Sequence, residues 1–444
     1  MNKEFHKKQN FFSFSDIDSE RKDRIMKFTS TEATPAPHVP PGVLRLTGAA
    51  KEDIPMYRIQ TMNKISPVGL NRFPSELYEV GDAVQDPQGI LVRSAKLLDL
   101  EFNPGLLAIA RAGVGVNNIP LDRCAAAGIP VFSTPGANAN AVKELVICAM
   151  LMGSRDIPGA IRWVREQAAS GVDVSTVVEK GKSAFIGPEL YKKTLGIIGL
   201  GAIGSIVANT AISLGMDVYG YDPFLSVDTA LRLDRHVHVV KDINDLYKRS
   251  DYITMHIHYT EKTAHMIDAD AIAAMKRGVR VINLARGEIV DDEAMLTALD
   301  TGMVAAYITD FPNNRLLTAP HVIAMPHLGA STPESEQNCA AMAVDTLRDY
   351  LESGNIRSSV NLPEMTMDRS GVQRLCVLHK NVPGMLANIT SLFGRDGVNV
   401  ENLSNKSRGD YAYTMVDLGS KVGDNVIEDV RRTANVIRVR SLEW

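Results

Sequence analysis

Residues 195–222 read LGIIGLGAIGSIVANTAISLGMDVYGYD, and the architecture follows from this stretch. LGIIGL has the composition of a parallel strand buried on both faces. Glycines at 199, 201 and 204 come next, then a helix, a second apolar strand and Asp222. In this spacing Gly199 permits a tight turn, Gly201 lets the backbone approach a pyrophosphate, and Gly204 lets helix and strand pack closely. A helix beginning near Ala202, with Ile203 in its first turn, offers unpaired N–H groups to phosphate oxygens. Asp222 follows the loop at the ~20-residue spacing of an acid that accepts both hydroxyls of an adenosine ribose. A lone glycine triplet often only shapes a turn; strand, loop, helix, strand and acid in this order predict dinucleotide binding. Asp222-Pro223-Phe224 offers no Arg for a 2'-phosphate, so NAD is expected rather than NADP.

The surrounding chain has 444 residues, too many for one ordinary core, and about two to four domains are expected. Its formal charge of -4 argues against a nucleic-acid partner. No apolar run approaches the ~20 residues of a bilayer span, so no membrane partner is expected. Cys124, Cys148, Cys339 and Cys376 are scattered without CxxC pairs, which fits reduced thiols and a cytoplasmic location. No metal is expected either: His256 and His258 alternate along a strand and face opposite sides. Neither a GxSxG elbow nor a P-loop is present, so hydrolase and kinase readings lack support.

Residues 1–55 differ in character, mixing charges with the proline-rich TEATPAPHVPPG, and are read as a disordered extension. Asp16, Asp18, Glu20 and Asp23 count against a transit peptide. From Met56, short apolar runs at 89–93, 106–111 and 129–132 alternate with helical stretches, the pattern of a parallel α/β domain. A long helix from Ala141 leads to the dinucleotide unit, whose further strands are expected at 251–257, 279–285, 304–309 and 321–325. The polar, breaker-rich 358–371 reads as a linker. Beyond it, 372–444 has the order β-α-β-β-α-β of a ferredoxin-like module.

Two strand-end loops carry residues suited to chemistry. In Asn283-Leu284-Ala285-Arg286-Gly287, Arg286 can hold a carboxylate by paired, charge-assisted hydrogen bonds and polarise a neighbouring carbonyl. In the loop 325–332, His327 is the one histidine of ten placed for proton transfer. One base, one carboxylate-binding arginine and NAD suffice to oxidise a 2-hydroxyacid.

With these residues assembled, the chain from Met56 onward resembles the D-2-hydroxyacid dehydrogenases, in particular members with a C-terminal ACT-type regulatory domain. The marks are LVRSAKLL, ARAGVGVNNI, PGANANAVKEL, LGIIGLGAIG, INLARGEIVDD, MPHLGAST and HKNVPG, in family order. The resemblance implies an α/β fold: two Rossmann-like, doubly wound parallel-sheet domains plus the ferredoxin-like module. The hydroxyacid domain would comprise 56–150 with 329–357, and the NAD domain 151–328. Arg93, Ser94, Arg111, Val114 and Gly115 would line the substrate side, with Lys64 a further candidate for a phosphate. His256, Ile257, Ala285, Arg286 and Asp310 would complete the NAD pocket, Asp310 at the nicotinamide amide. His379, Asn381 and Asn399 match positions expected to hold L-serine as an effector.

The implied reaction is oxidation of 3-phospho-D-glycerate to 3-phosphooxypyruvate, the entry to serine synthesis, by a homodimer or homotetramer. Reductases of hydroxypyruvate, glyoxylate or 2-oxoglutarate, and a non-catalytic NAD-sensing protein, are the alternatives. One departure stands out. Where the family commonly carries a glutamate that orients the catalytic histidine, the loop reads DFPNNRLLTAP, with Asn313 or Asn314 in its place. An asparagine cannot stabilise an imidazolium as a carboxylate does, so His327 is expected either to work with a lower pKa or to borrow Glu334 or Glu336 from the following loop. Lys192-Lys193 replaces a usual turn glycine before the first strand of the dinucleotide unit.

Overall fold

The computed structural model describes residues 56–444; the extension expected at 1–55 lies outside the described residues. Three sheets organise the chain. The first comprises β1 (Tyr57–Met62), β2 (Tyr78–Gly81), β3 (Gly89–Val92), β4 (Ala108–Arg111) and β5 (Val131–Phe132). Its strands are all parallel in the order β2-β1-β3-β4-β5, a doubly wound arrangement. Val92 pairs with Arg111, so Arg93 and Arg111 emerge side by side at the C-terminal edge.

The second sheet comprises β6 (Thr194–Ile198), β7 (Asp217–Tyr221), β8 (Val237–Val240), β9 (Tyr252–Met255), β10 (Val279–Asn283), β11 (Val304–Thr309) and β12 (Val322–Ala324). These strands are parallel in the order β12-β11-β10-β9-β6-β7-β8. Chain direction across the sheet reverses between β6 and β9, and ligands bind at such a switch point. The helix Ala139–Arg155 begins two residues before the expected start and crosses from the first sheet to this one, burying Val142, Val146 and Met150 against Leu195 and Ile308. Lys192 adopts φ +58°, so a lysine occupies the left-handed turn position where glycine is the low-strain choice.

A 21-residue helix, Pro333–Ser353, returns to the first sheet and packs Ala340, Ala343 and Leu347 onto Ile59, Leu91 and Ala108. The third sheet is antiparallel, with β13 (Gln373–Lys380), β14 (Val400–Arg408), β15 (Tyr411–Leu418) and β16 (Val436–Glu443) in the order β14-β15-β13-β16. Strand periodicity divides its side chains. Leu375 and Val377 face the two helices Met385–Arg395 and Asp424–Arg432, whereas Cys376 and Leu378 join Tyr350 and Ile356 in the first domain's core. Both faces of its inner strands β13 and β15 are therefore covered, while the edge strand β14 stays largely exposed.

Hydrogen bonds reinforce that seam. The last carbonyls of the 21-residue helix, which have no partner inside it, accept from the C-terminal module. Arg440 donates to Tyr350 O and Leu351 O (3.0 and 2.8 Å), Arg374 to Ser353 O (2.8 Å), and the Tyr413 hydroxyl to Gly354 O (2.7 Å). Arg374 also forms a bidentate pair with Asp417, both side chains fully buried. The stretch 358–371 joins the modules without being free of them. Ser359 bridges to Phe132, Met365 to Ile356, and Leu362, Met365 and Met367 are buried.

Candidate functional site

The glycine loop sits at the switch point. Gly199 has φ +90°, and a Cβ there would stand 2.6 Å from His256 O, so only glycine fits. A Cβ at Gly204 would collide with the Gly199 carbonyl, which lets the helix Ala202–Ser213 lie close on the turn. Gly201 has open space instead, the cradle a phosphate group needs. No side chain caps that helix, so the first-turn N–H groups at Ala202 and Ile203 remain free for an anion. The Asp222 carboxylate accepts from Leu200 N (2.9 Å) and Phe224 N (2.8 Å), which fixes its position and leaves lone pairs for hydroxyl donors. The Ile257 side chain borders Gly199. His256 is pushed down to about 4 by burial and is neutral at pH 7.

Arg286 is set by a clamp. Buried Asn283 accepts from Ala285 N (3.1 Å) and donates to Arg286 O (2.8 Å), fixing the strand-end turn. The Arg286 guanidinium bonds Ala285 O (2.6 Å) and lies against Gly115, where a Cβ would come within 2.8 Å of Nη2. Among the described residues, the N–H groups of Val114 and Gly115 have no protein acceptor. Arg111 donates to Arg93 O (2.9 Å), and its guanidinium is held below the ordinary arginine value by burial, with the charges of Arg286 and Arg93 adding to the effect. Asn63 accepts from Ser94 N (3.0 Å) and Ala95 N (2.5 Å), which brings the exposed Lys64 beside this group. Arg93, Ser94, Arg111, Gly115 and Arg286 thus gather where the C-terminal ends of β3 and β4 meet the loop after β10.

His327 lies exposed in the loop after β12, its ring centroid 4.7 Å from that of Phe311. Phe311 also underlies Arg286, 5.8 Å from its guanidinium carbon, and so joins the two. Asp310 is buried; Oδ2 receives a long contact from Gly329 N (3.4 Å) and Oδ1 has no partner. Burial pushes its carboxyl up, and the charge of His327 acts in the opposite sense. The orphaned Oδ1 is an acceptor in want of a donor, and with the glycine cradle and Asp222 it fits a dinucleotide carrying a carboxamide.

The residues expected to back His327 do not do so. Asn313 turns away, donating to Asp292 Oδ2 (2.7 Å) and accepting from Arg315 N and Leu316 N. Glu336 pairs with Arg93 (2.5 Å), and neither Asn314 nor Glu334 bonds the ring among the described residues. A cleft of about 720 Å³ lies there instead, walled by His327, Asp310, Phe311, Asn313, Asp292 and Glu288 among others.

Sequence reading passed over Phe311 and Asn63, and also the turn 134–138. Thr134 N donates to Gly113 O (3.1 Å), while Gly136 stands against Ala202. Thr134 Oγ1 and Asn138 Oδ1 are buried without partners. The effector candidates do not converge within one chain. His379 is buried, one ring nitrogen 2.8 Å from Lys380 O and the other 2.9 Å from Thr414 Oγ1. Asn381 follows β13 beside Gly409, whereas Asn399 precedes β14 beside Gly419, at the opposite end of the sheet.

Comparison with known proteins accords with this geometry. Residues 147–329 match the D-isomer specific 2-hydroxyacid dehydrogenase, NAD binding domain. D-3-phosphoglycerate dehydrogenase of Synechocystis sp. is 36% identical over 326 residues, which cover 71% of this chain; the chain spans little more than half, 56%, of that protein. The Haemophilus influenzae protein of the same name is 31% identical over 379 residues, covering 82% of this chain and 88% of the relative. The crystal structure of NAD+-bound 3-phosphoglycerate dehydrogenase from Entamoeba histolytica matches with TM-score 0.54 and 26% identity, over 69% of this chain and 99% of that one. Identity sustained across nearly the whole of the Haemophilus relative, with the NAD-binding domain in place, establishes that the chain belongs to the D-isomer specific 2-hydroxyacid dehydrogenase family.

Proposed function

We propose that the protein oxidises 3-phospho-D-glycerate to 3-phosphooxypyruvate with NAD, at the entry to serine synthesis. The observation that carries this is the crowding of Arg93, Arg111 and Arg286. Burial, with the like charges of Arg286 and Arg93 adding to it, holds the Arg111 guanidinium below its ordinary value, and among the described residues Glu336 alone pairs with the group. A ligand with one carboxylate and one phosphate has about the charge to neutralise them.

Arg286 and the N–H groups of Val114 and Gly115 hold the carboxylate; Arg93, Ser94, Arg111 and Lys64 hold the phosphate. His327 takes the hydroxyl proton, while Arg286 polarises the C2–O bond. NAD, when bound, accepts the hydride. Gly199, Gly201, Ala202, Ile203 and Gly204 cradle its pyrophosphate, Asp222 holds the adenosine ribose, and Asp310 accepts from the carboxamide. Neutral His256, with Ile257 and Ala285, completes that pocket.

On this reading 56–150 with 329–357 is the substrate domain, 151–328 the NAD domain and 372–444 an ACT-type regulator joined through 358–371. L-serine would require modules from two copies, because Asn381 and Asn399 stand at opposite ends of one sheet. A homodimer or homotetramer supplies them. The helices Ile157–Ala169 and Val174–Gly181 bury no residue and expose Ile161, Val164 and Val178, a surface suited to a second copy. The four scattered cysteines, none in a disulfide, support the reading of a cytoplasmic protein.

The test is NADH formation from 3-phosphoglycerate by the full chain, with and without L-serine. His327→Ala is expected to lower kcat by about 10²-fold or more while NAD affinity stays within a factor of two or so. Turnover close to that of the unmodified protein would remove His327 from the mechanism. Insensitivity to serine would remove the regulatory part alone.

A further inference from the structure

The cleft beside His327 is separate from the arginine-lined edge. His327, Asp310 and Phe311 wall its inner end, whereas Arg93, Arg111, Gly115 and Arg286 do not line it. In this chain no carboxylate occupies the space, because Asn313 is turned outward to Asp292. The room left is ample for water, and the carboxylates of Glu288 and Asp292 on its walls offer it partners. A ligand seated against the arginine-lined edge would displace water from that side of His327. The proton collected by His327 must then leave by another route.

Resting on the oxidation proposed above, we infer that this cleft is the proton outlet of the site. In each turnover the substrate C2–H bond gives its electron pair and hydrogen to the dinucleotide. The O–H proton passes to the His327 imidazole, and from there to water or a small base in the cleft and out to solvent. The imidazole is regenerated neutral, and no further oxidant or base is needed.

The outer walls decide which carriers enter. Glu288, Asp291, Asp292 and Glu293 face the cleft against two basic side chains, His265 and Arg315. Both bases are already engaged, Arg315 with Glu293 and His265 with Asp291 at 3.5 Å. Tyr307, pushed up to about 12 by burial, stays neutral beside Asp310. The mouth is therefore negative and repels dianions while favouring neutral bases that leave as cations.

The test follows steady-state NADH formation, over many turnovers, by the full chain at saturating substrate, constant pH and constant ionic strength. Imidazole is a neutral base with a cationic acid form; PIPES has similar acidity and a dianionic base form. Raising imidazole is expected to increase the rate by about twofold or more, and raising PIPES to leave it nearly unchanged. In Glu288→Gln/Asp292→Asn the two buffers should act alike. Equal responses to both buffers in the unmodified protein, or no response to either while NADH still forms, would overturn the outlet. Absence of NADH in every buffer would instead defeat the reaction on which the outlet rests.

Discussion

His327 is held by shape more than by charge. Phe311 stacks near it at 4.7 Å, and no carboxylate bonds its ring among the described residues. Installing one changes the chemistry in a predictable direction. In Asn313→Glu a carboxylate enters the cleft and favours the imidazolium over the neutral base that oxidation requires. The acid limb of the kcat/KM–pH profile is expected to move to higher pH by about one unit. An unmoved limb, with the side chain seen in the cleft, would show that His327 is insulated from it. At this scale the sequence was informative where a residue's role depends on its immediate neighbours. Gly199, Gly201, Gly204 and Asp222 declare themselves by spacing. Phe311 and Asn63 do not, because the first acts by touching His327 and Arg286, and the second by accepting from Ser94 and Ala95, partners brought together only by folding.

At the scale of elements, strand ends do the positioning, and β9 carries a measurable cost there. His256 follows β9 and is held at about 4 against an ordinary 6.5. Unfolding between those values takes up a proton that the folded state excludes. Stability present above pH 6.5 is thus expected to decline as pH falls toward about 4, by up to about 1.4 kcal/mol per pH unit. Denaturant midpoints over that range should show the slope, and His256→Gln should lack it. The seam between the 21-residue helix and the C-terminal module makes a larger claim. Arg374→Met leaves Asp417 charged and buried, and is expected to cost about 3–5 kcal/mol. Arg374→Met/Asp417→Leu should recover much of that in thermal melts; a double variant as weak as the single one would place the cost in the lost bonds to the carbonyls of Ser353, Met367 and Asp368 instead. The parallel strands were legible because runs such as 195–200 carry no polar side chain. The packing of 358–371 was not, since its polar residues and breakers dominate the reading while Leu362, Met365 and Met367 do the anchoring.

For the whole molecule, the C-terminal module is built into the first domain. Its sheet is covered by its own helices on one face. On the other, Cys376, Leu378, Tyr413, Met415 and Leu442 share a core with Tyr350, Leu351, Ile356 and Met365. Along β13 both alternate faces are apolar, Leu375 and Val377 on one and Cys376 and Leu378 on the other, but only the fold reveals that the second packs on the first sheet's core. A module hung on a free linker could be removed without harm to the rest. Here removal would bare a contiguous apolar surface, strip the carbonyls of Ser353 and Gly354 of their donors, and leave those of Tyr350 and Leu351 with only Gly354 N and the Tyr57 hydroxyl. That helix begins at Pro333, just beyond His327, and its first turn carries the Glu336 bound to Arg93, so the damage would extend toward the site. A chain ending at residue 370 is therefore expected to aggregate on expression or to melt well below the full chain, with 3-phosphoglycerate turnover lost. A soluble, cooperatively melting 1–370 chain with unchanged turnover would mean that the module is an appendage and the seam contributes little to stability.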